Sequence, residues 1–319
     1  NIQPGYMVRV VCLIILSLGF CLAGDLYVET YGVNSDNCGA IENPCADLFF
    51  AYSLATSDSR ILLGGGIYPV NETQNILIEF PVTITNSSLT RPVLDLQYSC
   101  PSSSVIVCSV SEETMIISGI SFTNLFCPFS QSFPSWIEFI GGKIHAILVD
   151  IYFMGNTFEE PADQSDLLVP ALMKSATSGS GITIEKLRAI DNIATVLSAS
   201  SDVVSSSPTF SFKNCLIQNS TYGKFPAIFS FNVTISLNKV RALENNRAQL
   251  LSVCPLASVY YGDGLIIGDC VFENNISPVI NSPNNKGNVE TLTCFNSIFQ
   301  GNSNYQIASR VANPEEYSF

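Results

Sequence analysis

Lys186 and Arg188 stand two residues apart, and Lys239 and Arg241 repeat the pair further along the chain. Alternate residues of an extended strand share a face, so each pair sets two positive charges on one side. Together they form a candidate basic patch suited to an acidic sugar; the plainer alternative is solvated surface charge. Carboxylates are the other chemistry-bearing group. Hydrolysis of a glycosidic bond needs two of them facing a cleft at a set separation. Asp150 and Glu185 are the one place where such a pair could sit, and a long insertion separates them. That insertion, residues 159–180, carries Glu159, Glu160, Asp163 and Asp166. These are oxygen donors of the kind Ca2+ takes, or simply a solvated loop. His145 is the single histidine and lies in the apolar run Ile144-His-Ala-Ile147, so it is expected to be structural or surface-exposed. Serines are abundant, but none is accompanied by a histidine base. Trp136, the only tryptophan, falls in the inserted stretch 131–138 and is a candidate for stacking on a sugar ring.

These residues must be held by short elements that repeat. Leu265-Ile-Ile-Gly-Asp-Cys-Val-Phe-Glu-Asn-Asn275 is a β-prone run, a break and an Asn-rich corner. Related stretches end at Asn302, Ser220, Asn245 and Asn192, with more diverged copies ending at Asn156 and Asn124. Aligned on Phe122, Phe153, Ile190, Ile217, Leu243, Phe272 and Phe299, the last four steps are 27, 26, 29 and 27 residues. A fixed period in the twenties marks a solenoid. Three strands of about 5 residues with corners of 2 to 6 need roughly 22 to 30 residues per turn. No leucine-rich ladder and no long hairpin strands occur. The expected fold is all-β, a right-handed parallel β-helix. Asn suits its corners because it tolerates the left-handed backbone and its amide can bond to the Asn above and below. On this alignment the outward corner positions hold Asp150, Glu185, Asn214, Asn238, Asp269 and Asn296. Residues 46–55 show apolar spacing of a short helix, expected to cap the N-terminal end of the stack.

The chain has 319 residues, 47% of them apolar and 13% charged, with a net charge of −13. That balance argues against nucleic acid as a partner. Residues 1–24 read as upstream residues and a secretory signal peptide: Arg9, an apolar core from Val10, then Cys21-Leu-Ala23. The domain is expected over 25–319, truncated at its C-terminus because no cap follows the last repeat. No second stretch is long enough to span a membrane.

With Cys12 and Cys21 removed, nine cysteines remain. Close spacing in a secreted chain suggests Cys38–Cys45 and Cys100–Cys108 disulfides. Cys127, Cys215, Cys254, Cys270 and Cys294 are left unpaired by the sequence, with Cys215 and Cys270 expected in the core. Asn71, Asn86, Asn219, Asn232 and Asn275 head Asn-x-Ser/Thr sequons, so they are candidate glycosylation sites.

The opening strand, the loop Gly32-Val-Asn-Ser-Asp-Asn-Cys-Gly39, Asn43-Pro-Cys45, a helix, then Ile61-Leu-Leu63, Gly66-Ile-Tyr68 and Pro81-Val-Thr-Ile84 resemble the start of secreted right-handed β-helix proteins of the pectin-lyase-like superfamily. The Phe-x-x-Asn repeats at Phe153, Phe272 and Phe299, with Gly141-Gly-Lys-Ile144, are similar to those of polymorphic outer membrane proteins and related adhesins. The resemblance implies the fold. Its hydrolases show paired aspartates and a His-Gly element; here no Asp-Asp pair occurs and Ala146 follows His145. Its lyases need a Ca2+ site and a basic residue to take a proton. The expectation is therefore a secreted or cell-surface module without catalysis, binding an extracellular glycan or protein. It needs no cofactor and no metal. The alternative is a polysaccharide lyase or glycoside hydrolase with an atypical site.

Overall fold

The computed structural model describes residues 24–110, 113–128, 134–159, 171–177, 181–201, 208–221, 227–231, 233–245, 251–253, 264–275, 280–281, 291–302 and 307–308. The expected leader, the acidic residues Glu160, Asp163 and Asp166, the sequon at Asn232 and Cys254 lie outside them. The described strands form three parallel sheets, visited in turn by each coil. The first sheet runs in order from Asp25–Val28 to Thr291–Phe295, ten strands. The second runs from Gly66–Pro69 to Ile298–Gln300, with Thr157–Phe158 beside Ser121–Cys127 off its main order. The third runs from Ile76–Ile78 to Ile307–Ala308. This is a right-handed parallel β-helix.

Strands form because apolar residues alternate. Gly181–Glu185 buries Ile182 and Ile184 and turns Thr183 outward. Stacking then places like on like: Ile117, Leu148, Ile184, Phe212 and Leu237 follow one another across neighbouring strands, all buried. In the second sheet the inward column is Phe122, Phe153, Ala189, Ile217, Ala242, Phe272 and Phe299. Rings stack where they adjoin, Phe122 on Phe153 at 5.3 Å and Phe272 on Phe299 at 4.9 Å. Alignment on Ile190 and Leu243 is thus one residue out of register. Both pair outward, with Met154 and Gln218. A slip of one flips a strand residue to the other face, and the inward residue at these two coils is only an alanine.

Two left-handed corners flank each three-residue strand of the second sheet. The first is occupied by Asp150, Lys186, Asn214, Lys239, Asp269 and Asn296, with φ between 48° and 57°. The second includes Asp191, Asn219, Glu244 and Asn274, with φ between 48° and 56°. Corner bending and amide stacking, expected of one Asn, are done by adjacent residues. The ladder residues come one later: Asn156, Asn192, Ser220, Asn245, Asn275 and Asn302. Asn245 donates its backbone N–H and its amide to Asn275 Oδ1 at 3.1 and 2.9 Å, and Asn275 does the same to Asn302. Each amide also donates to a carbonyl of the preceding coil, as Asn275 does to Ala242. Buried polar groups are thereby satisfied coil by coil.

The N-terminal end is closed by the helix Leu48–Leu54, whose Asp47 accepts from the Phe50 N–H at 2.8 Å. Leu48 and Ala51 are buried against the stack. The loop before it is tied by a Cys38–Cys45 disulfide. Cys100 is bonded to Cys127, 27 residues on, not to Cys108; this corrects the local pairing. Cys108 points inward from Ile106–Cys108, between Ile78 and Phe139. In a coil the near neighbour in space is one turn away, so loop proximity is a poor guide. Cys215 and Cys270 are buried. Among the described residues no helix is long and apolar enough to cross a membrane.

Candidate functional site

Three features fix the site: the first left-handed corner, the outward residue after it and the stacking of coils. Lys186 and Lys239 occupy the corner. Arg188 and Arg241 open the following second-sheet strands and point outward. One coil, with Asn214 and Leu216, lies between them, since Arg188 pairs with Leu216 and Leu216 with Arg241. The two cation rows therefore stand about 10 Å apart at the ~4.8 Å strand spacing. They line one open groove of about 430 Å³, with Asp150 at one end. All four cations are exposed. Among the described residues the ion pairs are Arg60–Asp25 and Arg91–Asp150, so none of the four is neutralised by a carboxylate. In a chain of net charge −13, such a cluster concentrates positive potential in one place.

The corner lysines are informative for a second reason. A left-handed backbone favours Gly, Asn and Asp, whose presence at other coils needs only turn formation. Lysine has no such advantage. An unfavoured residue type at a strained position points to a role for its side chain.

Arg91 and Tyr152 complete the Asp150 end. The Arg91 guanidinium donates to the Asp150 carboxylate at 2.5 Å and to its carbonyl. It lies 3.8 Å from the Tyr152 ring centroid, and Arg188 lies 5.1 Å from the same ring. No sequence signal places Arg91 here, because 59 residues separate it from Asp150. The expected column also shifts by one. Glu185 pairs with Val149 and Lys213, and Asn238 pairs with Lys213; the true corner residues are Lys186 and Lys239. Asp150 and Glu185 are thus not an acid pair in one column.

The remaining candidates separate from this groove. Trp136 is fully buried and cannot stack on a ligand. Its indole N–H donates to Asn156 Oδ1 at 2.9 Å, taking the place of the amide that the coil below lacks. Trp136 immediately precedes the third-sheet strand Ile137–Gly141. His145 is exposed on the first sheet. Asn275 is buried with both amide hydrogens donated, to Ala242 and Asn302, which corrects its assignment as a glycosylation site. Asn71 and Asn219 are exposed and Asn86 is half-buried. Among the described residues no group of three His, Cys, Asp or Glu could hold a metal ion.

No protein-family model matches the sequence, and no curated protein matches it. Solved structures do. A rhamnogalacturonan lyase aligns at a TM-score of 0.44 and 11% identity, over 87% of each chain. A pectate lyase aligns at 0.33 and 13% identity, over 93% of this chain and 83% of that one. The A-module of a mannuronan C-5 epimerase from Azotobacter vinelandii aligns at 0.22 and 10% identity, over 83% and 91%. The expectation that the chain is not an enzyme is corrected here: the proteins it resembles in structure are enzymes by name. The missing Asp-Asp pair and His-Gly element exclude one kind of site, not all. At these identities the likeness is one of fold and transfers no site residue.

Proposed function

We propose that the protein is a secreted glycan-binding β-helix whose ligand is an acidic polysaccharide, held across the Lys186–Arg188 and Lys239–Arg241 rows. One observation carries this: four side-chain cations share a groove, and no carboxylate of the described residues pairs with them. Rows about 10 Å apart are comparable with the spacing of alternate units in an extended uronate chain. Leu216 between them supplies apolar surface for sugar faces. The two disulfides fit an oxidising extracellular compartment, where attachment to a glycan matrix is the role envisaged. The groove serves capture and turnover alike, so both are read in one experiment.

Calorimetric titration with oligogalacturonate and oligomannuronate is expected to show binding that weakens with salt. Lys239→Ala with Arg241→Ala should lower affinity at least tenfold. Absorbance of unsaturated uronates in the same mixtures reports β-elimination. Affinity unchanged in the double variant, with the fold intact, would remove the proposal.

A further inference from the structure

The geometry points to a second saccharide site, on the outer face of the first sheet: a notch at Gly181 that takes one neutral sugar unit. Successive strands there align Thr114, His145, Gly181 and Thr209 in one outward column. Gly181 alone among these four lacks a side chain, and its strand is regular. The backbone does not demand glycine at this position. What glycine does is open space: a Cβ would come within 3.3 Å of His145 Nδ1. The resulting groove is about 320 Å³, lined by the column residues, by Thr183 and Ser211, and by Ile147.

The lining defines the ligand class. The hydroxyls of Thr114, Thr183, Thr209 and Ser211 and the imidazole of His145 have no hydrogen-bond partner among the described residues. Elsewhere on the same sheet neighbouring hydroxyls do bond to one another, as Thr85 and Ser118 do at 2.7 Å. Hydroxyl groups both donate and accept, and an imidazole adds ring nitrogens for further hydrogen bonds, which matches the hydroxyl edge of a sugar. Ile147 offers an apolar wall for its C–H face. Neither a carboxylate nor a lysine or arginine lines the notch, so nothing there selects a charged unit. Along the strand, Gly181 lies five residues before Lys186, about 17 Å at ~3.3 Å per residue. The notch is therefore separate from the basic groove and does not depend on the proposal for it.

Saturation-transfer NMR on the full chain, with methyl β-galactoside, methyl α-arabinofuranoside and methyl β-xyloside as probes, tests the site. At least one probe is expected to bind weakly. Gly181→Val, which fills the notch, should reduce binding at least tenfold. Thr183→Val, which removes one hydroxyl at nearly constant shape, should reduce it about threefold. Lys239→Ala should leave it unchanged. No signal from any probe, a signal that survives both notch variants, or one lost with Lys239→Ala would each overturn the assignment. Oligogalacturonate binding in the basic groove is scored separately, by the Lys239→Ala with Arg241→Ala variant.

Discussion

Arg91 holds Asp150 across an intervening coil. Its Nη2 lies 2.5 Å from the carboxylate while its guanidinium rests 3.8 Å from the Tyr152 ring centroid. The coil between contributes Gly119 at its corner, with φ of 70° and no side chain in the way. The side chains of Arg91 and Asp150 are 24% and 42% exposed, so solvent screens the pair. A contribution of about 1 kcal/mol from the ion pair and about 0.5 kcal/mol from the ring contact is reasonable. Arg91→Ala is expected to lower stability in a urea titration by about 1 to 2 kcal/mol. Arg91→Lys should recover less than half, because a point charge cannot supply the paired donors and the planar stack together. Full recovery by lysine would show that charge alone matters there.

Asp150 is the single carboxylate lining the basic groove. Its replacement by asparagine keeps the corner-forming side chain and removes a negative charge facing the ligand. Asp150→Asn is therefore expected to tighten oligogalacturonate binding several-fold at low salt, with the gain shrinking as salt rises. Weaker binding or lost turnover instead would place the carboxylate in contact with the sugar.

The amide ladder has one irregular rung. Ser220 accepts the Asn192 N–H of the preceding coil at 3.3 Å and donates to Gln218, but its short side chain does not donate to a carbonyl of that coil. Asn192, Asn245 and Asn275 donate there to Phe153, Ile217 and Ala242. An asparagine at 220 would find the Ala189 carbonyl in the equivalent place and Asn245 Oδ1 beside it. Ser220→Asn is expected to stabilise the protein by about 1 kcal/mol. Asn245→Ala should cost about 2 to 4 kcal/mol, since it leaves the buried Ser220 N–H without its acceptor. Thermal melts of the two variants, moving in opposite directions, check the ladder.

The repeat was legible because the inward residues alternate and the corners are rich in Asn and Asp. Register was less so. Ala189 and Ala242 are small, while the outward Ile190 and Leu243 imitate the apolar anchor, so alignment by residue type slid one position at those two coils. The same slip put Glu185 and Asn238 where Lys186 and Lys239 stand. The four cations were legible as a patch because their spacing repeats. The Arg91 contact was not, because it depends on which coils stack and on the absence of a side chain at Gly119. Trp136 misled for a physical reason: an aromatic in an irregular stretch suits a ligand surface and a buried cap equally, and only the missing amide below Asn156 decides.

Disulfide connectivity offers a direct check on stacking. Non-reducing peptide mapping is expected to give Cys38–Cys45 and Cys100–Cys127, with Cys108 as a free thiol. If the chain is secreted and glycosylated, the exposed Asn71 and Asn219 are the expected occupied sites and the buried Asn275 should be unmodified. A Cys100–Cys108 peptide would contradict the register between neighbouring coils.

Buried thiols set an alkaline limit on stability. Burial pushes the Cys215 thiol up to about 12 from an ordinary 9.0, and it moves Cys108 and Cys270 in the same direction. Below the ordinary value both folded and unfolded chains hold these protons, and stability does not depend on them. Between 9.0 and about 12 the unfolded chain releases the Cys215 proton while the folded chain keeps it. The unfolded state then binds fewer protons, so stability must fall as pH rises through that window. Tyr68 adds to the same slope. Its hydroxyl is buried and donates to the Val28 or Gly64 carbonyl, and burial raises its pKa too. The urea midpoint is expected to stay level from about pH 7 to 8 and to drop steeply above the ordinary thiol range. Cys215→Ala should be less stable at neutral pH, by about 1 to 2 kcal/mol for the small cavity, yet show a shallower alkaline decline. An unchanged slope in that variant would mean that Cys215 titrates as an exposed thiol does.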